Sequence, residues 1–310
     1  MARICCKNVE CGISGGEAGN RAGRGGTLSH QSGIVWLASY PKSGNTWTRH
    51  FLHSLLKVLH GEAGAQSINN MGRFSSGEAG RWRYSAMVGR EITKDDNELI
   101  PTLRPKVQVK LADEAGGVAF IKTHNALLMD EGQPVINPAA TAGAVYIVRN
   151  PLDVVISLSH HRGKPIDDTI DFMACEGMRT VIGEKQVYEI WGSWSEHVHS
   201  WTRSPHPAIY VMRYEDMLAE PSKTFGGLAR HLKMNPSAAE LDSALEMSSF
   251  DSLQAQEKEG GFRERPEAAT ANFFRSGKAD QWRDVLTASQ IDQIASSHEA
   301  QMQRFGYLPN

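Results

Sequence analysis

The segment SYPKSGNTW, at residues 39–47, contains the side chains best suited to bind a phosphate group. It follows a short apolar run and leads into an amphipathic one, so its backbone N–H groups would converge at the positive end of a helix. Lys42 adds a mobile positive charge, and Gly44 allows a close approach of the backbone. The residues predicted to contact the anion are Lys42, Ser43, Gly44, Asn45 and Thr46.

The segment FIKTH ends in one cation and one acid–base group. Side chains alternate along an extended chain, so Lys122 and His124 should point to one side and Thr123 to the other. A single histidine near a strand end is more often a hydrogen-bonded core residue. Its pairing with Lys122 favours a functional role for His124 over a purely structural one.

A second anion site is predicted from the segment VRNPLDVVISLSHH. Arg149 ends a predicted strand, and Ser157 lies on the second turn of the helix that follows, so both could reach one phosphate. The alternative is that Arg149 pairs with a surface carboxylate such as Asp153. Two separate anion sites beside one acid–base group suit a donor that carries phosphate at both ends.

Together these segments resemble the cytosolic-type sulfotransferases, from about Trp36 to Phe305. The family's loop reads Tyr-Pro-Lys-Ser-Gly-Thr-Thr-Trp, from which only Asn45 departs. Its Lys-Thr-His segment and its Arg-Asn-Pro segment with a later serine are also present. The C-terminal segment NFFRSGKADQWRD partly matches the family's Arg-Lys-Gly-x-x-Gly-Asp-Trp, with Ser276 and Asp280 among the departures.

The resemblance implies that the donor is 3′-phosphoadenosine 5′-phosphosulfate (PAPS), that the product is 3′-phosphoadenosine 5′-phosphate (PAP), and that no metal is required. It implies sulfuryl transfer to a hydroxyl, or an amine, of a small-molecule acceptor, with His124 as the general base. The implied catalytic residues are His124, Lys42, Lys122 and Ser157. The implied donor-binding residues are Lys42, Ser43, Gly44, Asn45, Thr46, Trp47, Arg149, Ser157, Tyr214, Ser248, Phe250, Arg275 and Gly277.

Strands that alternate with helices must position these groups. IVWLA, GVAFIKTH, VYIV and AIYVMRYED predict strands that end in polar residues, and the intervening runs predict helices. We therefore expect an α/β fold, a single domain with a parallel β-sheet flanked by helices and a P-loop-like phosphate loop. The polar strand ends place the site at the carboxyl edge of the sheet. Residues 69–105 predict either an acceptor-binding insertion or structural filler.

The composition gives weaker constraints. Among 310 residues, 33 are Lys or Arg and 35 are Asp or Glu, so no global basic field exists to attract nucleic acid. No apolar run is long enough to predict a membrane span or a secretory signal, which favours a cytoplasmic location. Residues 1–31 predict a disordered Gly-rich tail containing three of the four cysteines, and residues 32–310 the domain.

Two alternative functions remain at this stage. A P-loop kinase would also use a phosphate loop, but a Walker lysine follows the glycine, whereas Lys42 precedes it. A non-catalytic PAP-binding protein would keep the phosphate contacts without turnover.

The stripe Trp191, Trp194, Val198 and Trp201 predicts helix core, not a ligand site. A weak match to the family's dimer motif at Arg283, Thr287 and Asp292 leaves the oligomeric state open, a homodimer included.

Overall fold

The computed structural model describes residues 33–62 and 67–309, so the predicted tail lies outside the described residues. Four parallel strands form one sheet, which confirms the predicted parallel sheet; from one edge to the other they are β2 (Val118–Thr123), β1 (Gly33–Ser39), β5 (Thr141–Val148) and β6 (Ile209–Arg213). A two-stranded antiparallel ribbon, formed by β3 (Met129–Asp130) and β4 (Gln133–Pro134), is separate from it.

Helices cover both faces of this sheet. Within the described residues they are α1 (Asn45–Leu59), α2 (Met71–Phe74), α3 (Arg81–Val88), α4 (Ile100–Ala115), α5 (Pro151–Arg162), α6 (Ile166–Ala174), α7 (Trp194–Thr202), α8 (Tyr214–Ala219), α9 (Pro221–His231), α10 (Ala238–Met247), α11 (Phe250–Gly260), α12 (Trp282–Val285) and α13 (Ala288–Phe305). The predicted α/β fold class is therefore confirmed.

The alternation of side chains along β1 separates two hydrophobic clusters. Trp36 belongs to the cluster that contains helix α5, and Leu37 to the cluster that contains helix α1. Because β1 and β5 are neighbours whose following helices cover opposite faces, a crevice opens between the carboxyl ends of these two strands. Open α/β sheets bind their ligands at such a point.

The segment of weak periodicity at residues 69–105 is mostly helical and contributes to the core. Its buried face includes charged and amide side chains, which hides the apolar pattern. Arg104 of α4 is 1% exposed and pairs with the fully buried Glu78 at 2.8 Å. Gln108 donates from its side chain to the Val135 carbonyl at 2.8 Å. The sequence pattern did not predict these helices, because it treats buried polar residues as exposed ones.

The aromatic stripe was only partly predicted. Trp194 and Trp201 of α7 are buried in the core, as expected. Ser193 caps α7 in a capping box with Glu196, so the helix begins after Trp191. Trp191 therefore precedes the helix, so its assignment to the helix is wrong. It still packs against the same core, and it also lines the cavity described next.

Candidate active site

A cavity of about 1010 Å³ lies at the carboxyl ends of β1, β2 and β5. Its wall brings together nearly all of the side chains selected from the sequence. The predicted residues that line it are Lys42, Gly44, Asn45, Thr46, Trp47, Lys122, His124, Arg149, Ser157, Tyr214, Phe250, Arg275 and Gly277. Ser43 and Ser248 are the two predicted residues outside this lining.

The loop between β1 and α1 has an unusual backbone. Lys42 and Gly44 both have positive φ angles, of 68° and 104°. A Cβ atom on Gly44 would lie 2.7 Å from the Tyr214 ring, so the position requires glycine for both backbone and space. Asn45, the departure from the family loop, donates from its side chain to the Leu37 carbonyl at 2.8 Å. Its side chain therefore anchors the loop to β1.

Three of the cations predicted for this cavity lack a carboxylate partner. Among the residues that the structure describes, Lys42, Arg149 and Arg275 form no ion pair. Burial, and then the positive charges of Arg149 and Lys122, lower the pKa of Lys42 to about 7. The Lys42 ammonium lies over the Phe273 ring, 3.7 Å from its centre. An anion bound here would relieve the mutual repulsion of these cations.

Arg149 is held at the centre of this cluster. It is 6% exposed, and its guanidinium lies 4.2 Å from the centre of the Tyr214 ring. It donates to the Lys42 carbonyl at 3.0 Å and to the Lys278 carbonyl at 3.2 Å. The alternative pairing of Arg149 with Asp153 is not observed, which leaves the cation available for a ligand.

Asp153 has a different role, which the sequence did not reveal. Its carboxylate accepts from the backbone N–H of Asp280 at 2.8 Å and of Trp282 at 3.2 Å. These contacts hold the C-terminal segment over the phosphate loop. In that segment Gly277 has a φ of 61°, and a Cβ there would lie 2.5 Å from the Phe250 ring. Gly277 is thus required for close packing on Phe250.

His124 lies just after β2 with a defined ring orientation. Its Nδ1 is 2.8 Å from the Ser39 carbonyl oxygen, which can only accept, so Nδ1 carries the proton. Nε2 is then the unprotonated nitrogen. Burial, followed by the nearby Lys122 charge, lowers the pKa of His124 well below its usual value. The ring is therefore neutral near pH 7 and able to accept a proton.

Ser43 and Ser248 are both fully buried. The Ser43 hydroxyl has no hydrogen-bond partner within the described residues, and neither does the Trp47 Nε1 group. The Ser248 hydroxyl donates to the Ala244 carbonyl at 2.8 Å, which closes the last turn of α10. Ser157 lines the cavity, as predicted. The Lys42 ammonium lies over the Phe273 ring and forms no hydrogen bond with the Ser157 hydroxyl.

Several charged residues of the cavity were missed by sequence reasoning. Glu264 accepts two 2.9 Å hydrogen bonds from Arg49 and lies 3.8 Å from the Lys122 ammonium. Glu189 accepts from the His124 backbone N–H at 3.2 Å. No sequence motif marks these positions. Glu189 and Glu264 lie in long loops, and Arg49 lies on the buried face of α1.

The residues that the structure describes contain no group of three or more His, Cys, Asp or Glu side chains placed to hold a metal ion. Across the same residues, none of the helices combines the length and apolar character needed to span a membrane.

The chain matches the family model described as "Sulfotransferase domain" over residues 33–306. It therefore belongs to the sulfotransferase domain family, and the predicted reaction class, sulfuryl transfer, is confirmed. It is 22% identical to flavonol 3-sulfotransferase of Flaveria bidentis, covering 84% of this chain and 78% of that protein. It is 23% identical to luciferin sulfotransferase of Photinus pyralis, covering 86% of this chain and 70% of that protein.

Solved structures show the same fold. Retinol dehydratase in complex with androsterone and inactive cofactor PAP superposes with a TM-score of 0.60 at 18% identity, over 89% of this chain and 82% of that one. A mouse sulfotransferase complexed with PAP gives a TM-score of 0.52 at 19% identity, over 88% and 86% of the two chains.

Proposed function

We propose that this chain transfers a sulfuryl group from PAPS to a hydroxyl of a small-molecule acceptor, with His124 as the general base. The observation that carries the proposal is the arrangement of Lys42, Arg149 and Arg275, which form no ion pair with any described residue, and of the neutral His124 around a single cavity. PAP is a ligand of two structures that share this fold, which supports PAPS as the donor. The names of the relatives, flavonol and luciferin sulfotransferases, support a small-molecule acceptor.

Each cation has a defined task in this proposal. Lys42 neutralises the negative charge that develops on the leaving phosphate, and Lys122 stabilises the sulfuryl oxygens. Arg149, Ser157 and Arg275 bind the 3′-phosphate, together with the backbone N–H of Gly277. The phosphate loop from Lys42 to Thr46 binds the 5′ end at the N-terminus of α1.

The tautomer of His124 determines which ring nitrogen accepts the proton of the acceptor. Since Nδ1 donates to the Ser39 carbonyl, Nε2 takes the proton of the acceptor hydroxyl as its oxygen bonds to sulfur. The bond between sulfur and the phosphate oxygen breaks in the same step, and PAP leaves with that electron pair.

We assign the adenine to the aromatic side chains Trp47, Tyr214 and Phe250. Cytoplasmic location belongs to the same proposal, since one relative is named a cytosolic sulfotransferase.

The test combines binding with turnover. The purified chain should bind PAP far more tightly than ATP in calorimetry, because the cluster around Arg149 suits a 3′-phosphate that ATP lacks. With PAPS labelled on sulfur, it should sulfate at least one member of a panel of phenols, alcohols and amines in the presence of EDTA. Preference for ATP with Mg²⁺ would favour a kinase, and PAP binding without any turnover a non-catalytic protein.

A further inference from the structure

Glu189 is a buried carboxylate of the cavity without a cation at ion-pair distance among the described residues. Its side chain is 9% exposed and lines the cavity beside His124. It forms no ion pair with any described residue. Burial raises the pKa of Glu189, and the positive charge of Lys122 partly offsets this rise.

The protein satisfies only part of the hydrogen-bonding capacity of Glu189. Oε1 accepts from the His124 backbone N–H at 3.2 Å, and Oε2 accepts from Trp191 Nε1 at 3.4 Å. An ionised carboxylate has about four acceptor sites, so each oxygen can accept one donor more. A buried anion with unused acceptor sites is costly unless a ligand supplies the missing donors.

The wall of the cavity carries further charged groups. Arg49 is 1% exposed and donates to Ser75 as well as to Glu264, which is itself partly exposed in the cavity. Lys122 completes this polar surface.

We propose that Glu189 determines acceptor specificity by accepting a hydrogen bond from a second donor on the acceptor, next to the hydroxyl that reacts at His124. The inference rests on the proposed function and names its substrate class: polar alcohols with a neighbouring donor group, in preference to monofunctional apolar alcohols. Two kinds of acceptor share this chemistry, namely diols of the sugar type and amino alcohols with a protonated amine.

Three alcohols of one shape test the proposal: cyclohexanol, trans-1,2-cyclohexanediol and trans-2-aminocyclohexanol. Their affinity for the PAP-loaded full chain is measured by calorimetry, and their kcat/KM with PAPS by sulfate transfer. At least one bifunctional alcohol should surpass cyclohexanol by about tenfold or more in both measurements, as expected for a hydrogen bond to a charged group.

Variants at residue 189 identify the donor. Glu189→Ala should abolish the preference for either bifunctional alcohol, whereas Glu189→Gln, which keeps an acceptor oxygen, should abolish it for the amino alcohol and keep most of it for the diol. Glu184→Gln, at an exposed position on the rim of the same cavity, is the matched control and should change neither ratio. Melting temperature and PAP affinity report on the fold of each variant.

Equal affinities of the three alcohols for the wild-type chain would overturn the inference, as would an unchanged preference in Glu189→Ala. If the chain transfers sulfuryl groups to all three alike, the proposed function stands and the role of Glu189 does not. If the chain fails to bind PAP, both are wrong.

Discussion

The two halves of the cavity are built on different principles. The half that we assign to the donor, the donor half, contains Lys42, Arg149, Arg275 and Gly277. It uses strand ends, helix N-termini and glycines, and its three cations have no carboxylate partner among the described residues. The half that we assign to the acceptor, the acceptor half, contains Lys122, His124, Glu189 and Glu264 and is formed by the end of β2 and by loops. It combines the ion pair of Glu264 with Arg49 and the carboxylate of Glu189, which forms no ion pair within the described part of the chain. Under the proposed function, the donor half is preorganised for one polyanion, and the acceptor half sets specificity through a few polar groups.

If the two halves are independent, removal of the base should leave donor binding intact. We expect His124→Ala to lower turnover by about 10²- to 10⁴-fold, the usual loss for a general base, with PAP affinity unchanged. Single-turnover kinetics with labelled PAPS measure the chemical step. His199→Ala, at an exposed position of α7, is the control.

The size of the rate loss in His124→Ala should depend on the acceptor. A phenol that is already largely ionised near neutral pH needs little base catalysis, so it should lose less rate than an aliphatic alcohol. Equal losses for both would indicate that His124 orients the acceptor by hydrogen bonding, and normal rates would remove it from the mechanism.

Substitution of Arg149 should have the opposite effect to substitution of His124, because it weakens donor binding directly. Arg149→Ala should weaken PAP binding by about 1.5 to 3 kcal/mol, roughly 10- to 150-fold, because it removes hydrogen bonds to a charged phosphate. The acceptor KM at saturating PAPS should change much less. Calorimetry measures the loss, and Arg203→Ala, at an exposed position, is the control. Normal PAP affinity with a lower melting temperature would make Arg149 a structural residue only.

The pKa of Lys42 predicts a pH dependence of donor binding. Since that pKa is lowered to about 7 in the free protein, Lys42 is charged below pH 7 and must take up a proton to bind an anion above it. PAP affinity should therefore fall as the pH rises from 7 to 9, by up to about tenfold per pH unit. Lys42→Arg, which stays charged, should bind PAP with little pH dependence. A flat profile in the wild-type chain would contradict the lowered pKa.

The two halves also differ in how much of each the sequence could predict. The donor half depends on local features, a glycine at positive φ in the loop before α1 and polar residues at strand ends, which leave a pattern in the sequence. The acceptor half depends on contacts between distant segments, such as Arg49 with Glu264, 215 residues apart. Neither Glu189 nor Asp153 has a local signal, because each acts through backbone groups far along the chain.

Asp153 gives the smallest expected effect and tests whether the C-terminal segment belongs to the donor half. Its two oxygens accept from the N–H groups of Asp280 and Trp282, and these contacts position Gly277 beside the phosphate loop. Asp153→Asn keeps one acceptor oxygen but directs an NH₂ group at the second N–H, so it should cost about 1 kcal/mol, or roughly fivefold in PAP affinity. The acceptor KM at saturating PAPS should be unchanged, and Asp284→Asn, on the exposed side of α12, should change neither value. An equal loss in acceptor KM would show that the segment covers both halves, and the two halves would then close as a single unit.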